Sequence, residues 1–358
     1  MLLKFLKDLI EIPSLSGKES GVAARVREEF EKLDYDEVIE AGGNICGKKG
    51  RGKINILYDA HMDVVEPGSG WTTDPYRAVE KDGYIYGRGA CDDKGSLAAI
   101  IHGGASAAIE DTISLYVLAS VREEITEGNG MKEFLSSTGI NPDYVVIAEP
   151  SSLRLARGNR GRLAVRLDIK GRAGHAGYPT TGENALYRAA GIINSIQSLN
   201  DELQEDSVAV TKAETSNTNI NIIPETCSIY CDYRAGVGRS EAEILDKLRN
   251  LVEEKDDVNA ITPYYSGWEM DAGHQLVRAA EECLQKELGE AEVMVWNFCT
   301  NGSFSAGVLG IPTIGFGPGV ETDAHSAGER IEIRSVIQAT SFFSRLPQYI
   351  AGIKDSNE

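Results

Sequence analysis

The 358-residue sequence lacks long apolar runs, paired cysteine motifs and an excess of basic charge, and each absence excludes a class of protein. No run of about 18 apolar residues occurs, so no transmembrane helix is expected. The chain has 36 Lys and Arg against 55 Asp and Glu, a net charge of −19, and would repel the phosphates of a nucleic acid. No C-x-x-C pair or P-loop pattern occurs, so a thiol redox centre and a nucleoside triphosphate site are not expected.

The six cysteines are scattered, and a chain of this length needs no disulfide framework to stabilise its core. Reduced, buried thiols are therefore expected, which favours a cytoplasmic protein. The N-terminus carries apolar residues at helical spacing, interrupted by lysines, and this pattern predicts an amphipathic first helix rather than a signal peptide. Hydrophobic residues make up 42% of the chain, as in ordinary globular proteins, and the length suggests about two domains.

Strand-like and helix-like segments alternate in the first part of the chain, which predicts an α/β sheet covered on both faces. The segments 20–33 and 94–109 are predicted to be helices. Short apolar strands are predicted at 53–59, 113–120 and 144–148.

The pattern changes near Gly158, where 162–170 alternates as a half-exposed antiparallel strand does. A helix at 184–199, strands at 217–223 and 226–234, and a helix at 240–254 follow, which together predict an α+β unit. After about residue 268 the first pattern returns, with a helix at 275–288 and a strand at 311–315. The prediction is a catalytic α/β domain (1–160 and 269–358) interrupted by an inserted domain (161–268).

Metal-capable side chains follow apolar strands at five places. Because sites in open α/β sheets form beyond the carboxyl ends of the strands, these side chains can converge. Crowded carboxylates repel one another unless cations relieve the repulsion, and imidazole with carboxylate suits Zn²⁺, Co²⁺ or Mn²⁺. The five places are His61-Met62-Asp63, Cys91-Asp92-Asp93, Glu123-Glu124, Glu149-Pro150 and His325.

These motifs, in this order, resemble the co-catalytic zinc amidohydrolases and exopeptidases, which include acetylornithine deacetylase, succinyl-diaminopimelate desuccinylase, aminoacylase and carboxypeptidase-G-like enzymes. The resemblance covers nearly the whole chain. It implies a zinc-exopeptidase-like catalytic domain with a mixed, mostly parallel sheet, interrupted by a smaller ferredoxin-like lid and dimerisation domain. The motifs are AHMDVV at 60–65, YGRGACDDKGSLAA at 86–99, REE at 122–124, AEPSS at 148–152, GHAGYP at 174–179, NIIP at 221–224, FCTNGSF at 298–304 and GFGPGVETDAHSAGE at 315–329.

The resemblance implies two divalent metal ions per subunit. His61 and Glu149 would bind one ion, Glu124 and His325 the other, and Asp92 would bridge both through a loop with a cis Asp92–Asp93 peptide. Metals so placed can lower the pKa of a water molecule and stabilise an oxyanion.

The remaining implied roles concern proton transfer and substrate binding. Glu123 would act as general base on a metal-activated water, and Asp63 would accept a hydrogen bond from the His61 ring and fix its tautomer. His175, in the inserted domain, would help bind the tetrahedral intermediate, often across a homodimer. The positions that match substrate contacts are Arg160, Asn221, Arg234 and Thr300. Asp93 is expected to support the ligands rather than to bind metal.

The reaction type is better determined by these residues than the substrate is. Ser303 and Phe304 stand where the desuccinylase pattern has an arginine, which favours removal of a small acyl group from an N-acyl amino acid of the acetylornithine type. The alternative is a metallo-exopeptidase acting on dipeptides with the same residues. A catalytically silent relative is disfavoured because every implied ligand and the base are intact.

Overall fold

Residues 1–353 are described by the computed structural model, and they form two compact units. The first unit comprises Met1–Asn159, Glu269–Trp296 and the chain from Thr300 onward. The second unit comprises Arg160–Trp268 with the short segment Asn297–Cys299. Each unit encloses a hydrophobic core of its own.

The first unit is built on a nine-stranded mixed sheet. The sheet strands are β1 (Glu37–Ala41), β2 (Asn44–Lys49), β3 (Ile54–His61), β6 (Ile113–Ser120), β7 (Tyr144–Ile147), β8 (Leu155–Asn159), β15 (Trp268–Glu269), β16 (Val293–Trp296) and β17 (Thr313–Gly315). The strands β3, β6, β7 and β17 at its centre run parallel, whereas β1, β2 and β6 pair antiparallel at one side. A smaller sheet contains β4 (Val79–Lys81), β5 (Tyr84–Tyr86) and β18 (Arg330–Glu332).

Helices pack against this sheet through apolar faces. The helices are α1 (Leu2–Glu11), α2 (Ser20–Lys32), α3 (Lys94–Ser106), α4 (Asn129–Thr138), α7 (Gln275–Leu288), α8 (Gly302–Ser305) and α9 (Ile333–Ala351). The small residues of α3 allow a close approach to α9, because a Cβ atom at Gly103 would lie only 2.7 Å from Cβ of Phe343. All residues of α3 from Lys94 to Gly104 are buried, so this helix forms the centre of the core.

The second unit is an α+β fold whose main sheet has the order β11-β13-β9-β14, all antiparallel. Two helices pack on this sheet, and a two-stranded ladder stands beside it. The elements are β9 (Gly161–Lys170), β10 (Gly174–His175), a 3₁₀ turn (Pro179–Thr181), α5 (Ala185–Leu199), β11 (Ser207–Thr215), β12 (Ile222–Ile223), β13 (Thr226–Ala235), α6 (Glu241–Arg249) and β14 (Asp257–Ala260).

Both the α/β class and the mixed sheet agree with the sequence prediction, but the strand predicted at 217–223 is wrong over most of its length. Only Ile222 and Ile223 are extended there, in the small ladder with β10. The edge strand of the main sheet is Ser207–Thr215, which lies outside every predicted strand. The short β14 was also missed, because a four-residue strand carries little periodic signal.

No helix among residues 1–353 is long and apolar enough to cross a membrane. Over the same residues no disulfide links the six cysteines, and all six side chains are buried.

Candidate functional site

Three adjacent parallel strands deliver the first site residues to one edge of the large sheet. The order β6-β3-β7 places three carboxyl ends side by side. His61 ends β3, the Glu123-Glu124 pair follows β6, and Glu149 follows β7. Because the three strands are parallel, their carboxyl ends lie at the same edge of the sheet, and the polar side chains that follow them meet there.

Asp92 lies between two histidines, and each of its carboxylate oxygens faces a different ring. Its Oδ1 is 3.0 Å from Nε2 of His61, and its Oδ2 is 3.2 Å from Nε2 of His325. The same His325 nitrogen is 3.0 Å from Oε1 of Glu124, and the same His61 nitrogen is 3.8 Å from Oε1 of Glu149. The Asp92–Asp93 peptide is cis, as the resemblance implies.

Asp63 is fully buried, and both its backbone carbonyl oxygen and its carboxylate lie near the His61 ring. Nδ1 of His61 is 2.8 Å from the carbonyl oxygen and 3.5 Å from the carboxylate, so the carbonyl is the closer acceptor for the ring. The carboxylate also accepts the backbone N–H groups of Glu123 (3.0 Å) and Glu124 (3.2 Å) and the hydroxyl of Ser16 (2.6 Å). Asp63 therefore orients the His61 ring through its main chain and the two glutamates through its side chain.

Burial and mutual repulsion shift the protonation equilibria of these carboxyl groups. Burial raises the pKa of Glu123 well above its usual range, and the neighbouring Glu127 and Glu124 raise it further. Burial raises the pKa of Glu149 in the same way, with repulsion from Asp93 added. Burial alone would raise the pKa of Asp92, but its hydrogen bonds with His325 and His61 lower it. A cluster that disfavours its own negative charge in this way favours binding of cations.

The donor set fits divalent metal ions. Two groups of side chains have ligand atoms that all lie within 4.8 Å of one another: His61, Asp93 and Glu149, and His61, Asp92 and Glu124. Oδ1 of Asp93 and Oε1 of Glu123 are buried without a hydrogen-bond partner, as expected of oxygens that face a cation or its water. Asp93, expected only to support the ligands, is thus close enough to be one.

A buried ion pair between Arg88 and Glu329 supports the Asp92 loop. Oε1 of Glu329 accepts the backbone N–H groups of Cys91 (2.9 Å) and Asp92 (3.0 Å), and Oε2 accepts a hydrogen bond from Arg88. Glu329 is fully buried and Arg88 is 1% exposed. Another guanidinium nitrogen of Arg88 lies 3.4 Å from the carbonyl oxygen of His325, so this pair joins the segments that carry Asp92 and His325.

The glycine-rich segment after β17 lies against two of the ligand loops. A Cβ atom at Gly317 would lie 2.3 Å from the carbonyl oxygen of Glu149, and one at Gly319 would lie 2.7 Å from Sγ of Cys91. The glycines therefore permit close approach of this segment to the loops that carry Glu149 and Asp92.

Thr300 is fully buried in the first unit, and its hydroxyl is engaged inside the protein. It donates to Oδ1 of Asn159 at 2.7 Å and accepts the N–H of Gly302 at 3.0 Å. The adjacent Asn301 donates to Asp59 (2.7 Å) and accepts the N–H of Gly128 (2.6 Å). Thr300 and Asn301 thus fix this segment beneath the metal-binding edge.

The other predicted substrate contacts belong to the second unit. The β10–β12 ladder pairs His175 with Ile222, which brings His175 beside Asn221, and both are exposed. The guanidinium Nε of Arg234 lies 2.7 Å from Oδ1 of Asp232, and Arg160 directly precedes β9.

Comparison with known proteins identifies the chain at the family level. The description "Peptidase family M20/M25/M40" matches residues 57–349. The chain belongs to this family. It is a metal-dependent hydrolase that acts on amide bonds.

The matches to known proteins extend over nearly the whole length of this chain. Uncharacterized protein YgeY of Escherichia coli (strain K12) is 31% identical over 97% of this chain and 93% of its own. A tripeptidase from Staphylococcus aureus has a similar structure, with a TM-score of 0.82 and 22% identity over 98% of both chains. The Bacillus subtilis YXEP protein, described as a dinuclear metal binding peptidase, has a TM-score of 0.72 and 17% identity over 98% of this chain and 97% of its own.

Several residues that support the site in this M20 family member were missed from the sequence. Glu19, Arg88 and Glu329 contact backbone atoms of distant loops, and no spacing rule connects them with those loops. Oε1 of Glu19 accepts the backbone N–H of Arg122, just before the glutamate pair. Arg88 lies inside the motif at 86–99 and Glu329 inside the motif at 315–329, and both motifs carry the family resemblance. Their place in these motifs was the only feature of the sequence that could have pointed to them. For Glu19 the sequence offers none.

Proposed function

We propose that this chain removes a small acyl group from N-acyl amino acids of the acetylornithine type, with two bound divalent metal ions and Glu123 as general base. The observation that carries the proposal is the position of Asp92 between two imidazoles, with the carboxylates of Glu149 and Glu124 on either side. A carboxylate so placed can bridge two cations, and two cations are suited to amide hydrolysis.

The ligands divide into two sets around Asp92. His61 and Glu149 serve one ion, and Glu124 and His325 serve the other. The separate approach of the two histidines to Oδ1 and Oδ2 of Asp92 supports this division. Zn²⁺ is the leading ion for imidazole and carboxylate ligands, with Co²⁺ or Mn²⁺ as substitutes. Bound there, the ions supply Lewis-acid activation of water and of the scissile carbonyl group.

Glu123 moves the proton in this proposal. The residue is 6% exposed, and burial raises the pKa of its carboxyl group well above the usual range, which makes the carboxylate a stronger proton acceptor. It accepts the proton of the attacking water at a carboxylate oxygen and then donates that proton to the leaving amine nitrogen. Asp63 holds the backbone of Glu123 through its N–H group and so fixes the point from which the glutamate side chain extends.

Substrate recognition is assigned to the remaining predicted residues. Arg160 and Arg234 are suited to a substrate carboxylate, because a guanidinium binds it with two parallel hydrogen bonds. The exposed pair His175 and Asn221 supplies polar groups for the tetrahedral intermediate. Thr300 contributes through its buried network to the shape of the site.

Hydrolysis of short peptides is the second candidate function. The tripeptidase from Staphylococcus aureus, whose fold matches 98% of this chain, suggests this candidate by its name. The two functions share every step at the metals and differ only in what the pocket accepts.

The experiment is amine release by the purified protein, with added Zn²⁺ or Co²⁺ and a chelator control. The panel contains N-acetylornithine, other N-acetyl amino acids, N-succinyl-diaminopimelate and simple di- and tripeptides. Release from the acetylated amino acids alone supports the deacylase, and release from peptides alone transfers the proposal to the exopeptidase. Glu123→Gln should lower kcat by roughly 10³-fold or more with unchanged metal content. Glu110→Gln, on an exposed loop residue, is the matched control.

We further propose a homodimer formed through the second unit. Strand β11 is an edge strand, and Tyr178, Tyr187 and Ile220 of the same unit are exposed apolar residues. Light scattering should give about twice 38.7 kDa, whereas the monomer mass would refute the dimer. A cytoplasmic location stays a prediction.

A further inference from the structure

The Glu123-Glu124 pair begins with a residue in an unusual backbone conformation. Arg122 has φ = +60°, in the left-handed region that residues other than glycine adopt rarely. It lies just after β6 and directly before the proposed base. A residue in this conformation persists where surrounding contacts hold it, so the contacts of Arg122 decide how the glutamate pair is presented.

Three consecutive N–H groups at this turn point at two carboxylates. Those of Glu123 and Glu124 donate to Asp63, and the N–H of Arg122 donates to Oε1 of Glu19 at 3.1 Å. Successive N–H groups of this kind form a concave site for negative charge. Glu19 therefore supplies the anion for the first N–H, where the backbone turns.

The side chain of Glu19 contacts the turn at Arg122 and does not cap its own helix. It stands at the N-cap position of α2, where Ser, Thr, Asp or Asn is preferred, yet its side chain makes no capping hydrogen bond there. It is 6% exposed, and the same Oε1 also accepts the N–H of Gly17 at 2.8 Å. The segment 16–17 therefore contacts both carboxylates that accept the N–H groups of this turn. Ser16 donates to Asp63, and Gly17 donates to Glu19.

We infer that Glu19 is a positioning residue for the catalytic turn: its carboxylate holds Arg122 in the left-handed conformation and so directs Glu123 and Glu124 at the metal-binding edge. The inference rests on the proposed function for the role of Glu123. It concerns Glu124 and not Glu149, because Glu149 follows a different strand, β7. Loss of Glu19 should therefore affect the two metal ions unequally.

The test compares Glu19→Ala, Glu19→Gln and, as a matched control, Glu28→Ala at an exposed position on the same helix. The metal-free full-length variants are titrated with Co²⁺ by calorimetry, which needs no substrate. In Glu19→Ala, one of two binding steps should weaken by roughly 10-fold and the other should change by less than about threefold. Glu19→Gln should behave as wild type within about threefold, because the amide oxygen can accept both N–H groups.

Activity is the second readout. With the best substrate of the panel, Glu19→Ala should lower kcat by roughly 10- to 100-fold and change KM by less than about threefold. Equal weakening of both metal steps, or wild-type titration and kcat, would overturn the inference. Damage by Glu19→Gln equal to that by Glu19→Ala would also overturn it, because the acceptor oxygen would not then be the cause.

Two outcomes separate this inference from the proposed function. If no panel substrate is cleaved by the wild type, the proposed function fails while the unequal Co²⁺ titration still decides the role of Glu19. If Glu19→Ala does not fold, Glu19→Asp, whose carboxylate is one methylene shorter, undergoes the same titration with the same expected inequality.

Discussion

The buried ion pair of Arg88 and Glu329 offers a quantitative test of how the Asp92 loop is held. Both side chains are at most 1% exposed, so removing one partner leaves the other charge without compensation in the core. Such losses cost about 3–5 kcal/mol, whereas replacing both partners with neutral groups of similar size is often nearly neutral. The pair should therefore show strong coupling in a double-mutant cycle.

The two single variants should differ in a defined direction. Glu329→Gln leaves a guanidinium that stays charged at all working pH values, and we expect the full loss of about 3–5 kcal/mol. Burial, together with repulsion from Asp92, raises the pKa of Glu329 to about 7 even with the Arg88 guanidinium beside it. Arg88→Met removes that cation, so the pKa of the remaining carboxyl should rise further. That carboxyl can take up a proton, so the loss should be smaller. The double variant should lie at least about 2 kcal/mol closer to wild type than the sum of the single effects.

The assay is urea unfolding of the four metal-free proteins at pH 7, with hydrogen exchange to locate the effect. Amides around Cys91 and Asp92 should lose protection, while the core of the second unit serves as an internal control. Single effects that add within about 0.5 kcal/mol would refute the pairing and leave the Asp92 loop without this support.

Two further predictions concern a buried carboxylate and a buried glycine. Burial alone would raise the pKa of Asp206, but hydrogen bonds from Lys247 and others lower it to about 2. The folded state therefore gains stability above the unfolded pKa of 3.8, and this gain is lost as the pH falls through about 4 to 2. Asp206→Asn should cost about 2 kcal/mol in urea unfolding at pH 7 and almost nothing near pH 2, and a difference independent of pH would contradict the charge argument. Gly317→Ala should weaken one Co²⁺ binding step by roughly 10-fold, because its Cβ would meet the Glu149 carbonyl, whereas Gly191→Ala, with open space around it, should bind as wild type.

Local patterns predicted most of the first unit correctly because its strands are short, apolar and bounded by polar residues. The predicted segment 113–120 coincides with β6, and the helix expected at 275–288 coincides with α7. The second unit was harder. Its edge strand β11 is largely exposed, so the burial that produces a clear alternation is weak there, and the strand was placed too late in the chain.

The candidate site also contains features that local patterns predict and features that they do not. His61, Asp92 and His325 were predicted as ligands because each lies in a short motif whose residue order resembles that of the family. The atoms that Asp63 engages were not predictable, because they depend on how the turn after β6 folds back over β3. Asp93 was assigned a supporting role, and only the folded chain shows that its carboxylate lies beside His61 and Glu149.

Residue types and short-range spacing were enough to predict the fold class, the family resemblance and the identity of the metal-capable side chains. Contacts between segments far apart in the chain decide which carboxylate oxygen meets which nitrogen and which distant residues hold the ligand loops. Glu19 and Glu329 act on backbone N–H groups of residues about 100 and 240 positions away. A backbone N–H is present at every residue other than proline, so no side-chain pattern marks which one a distant carboxylate will bind.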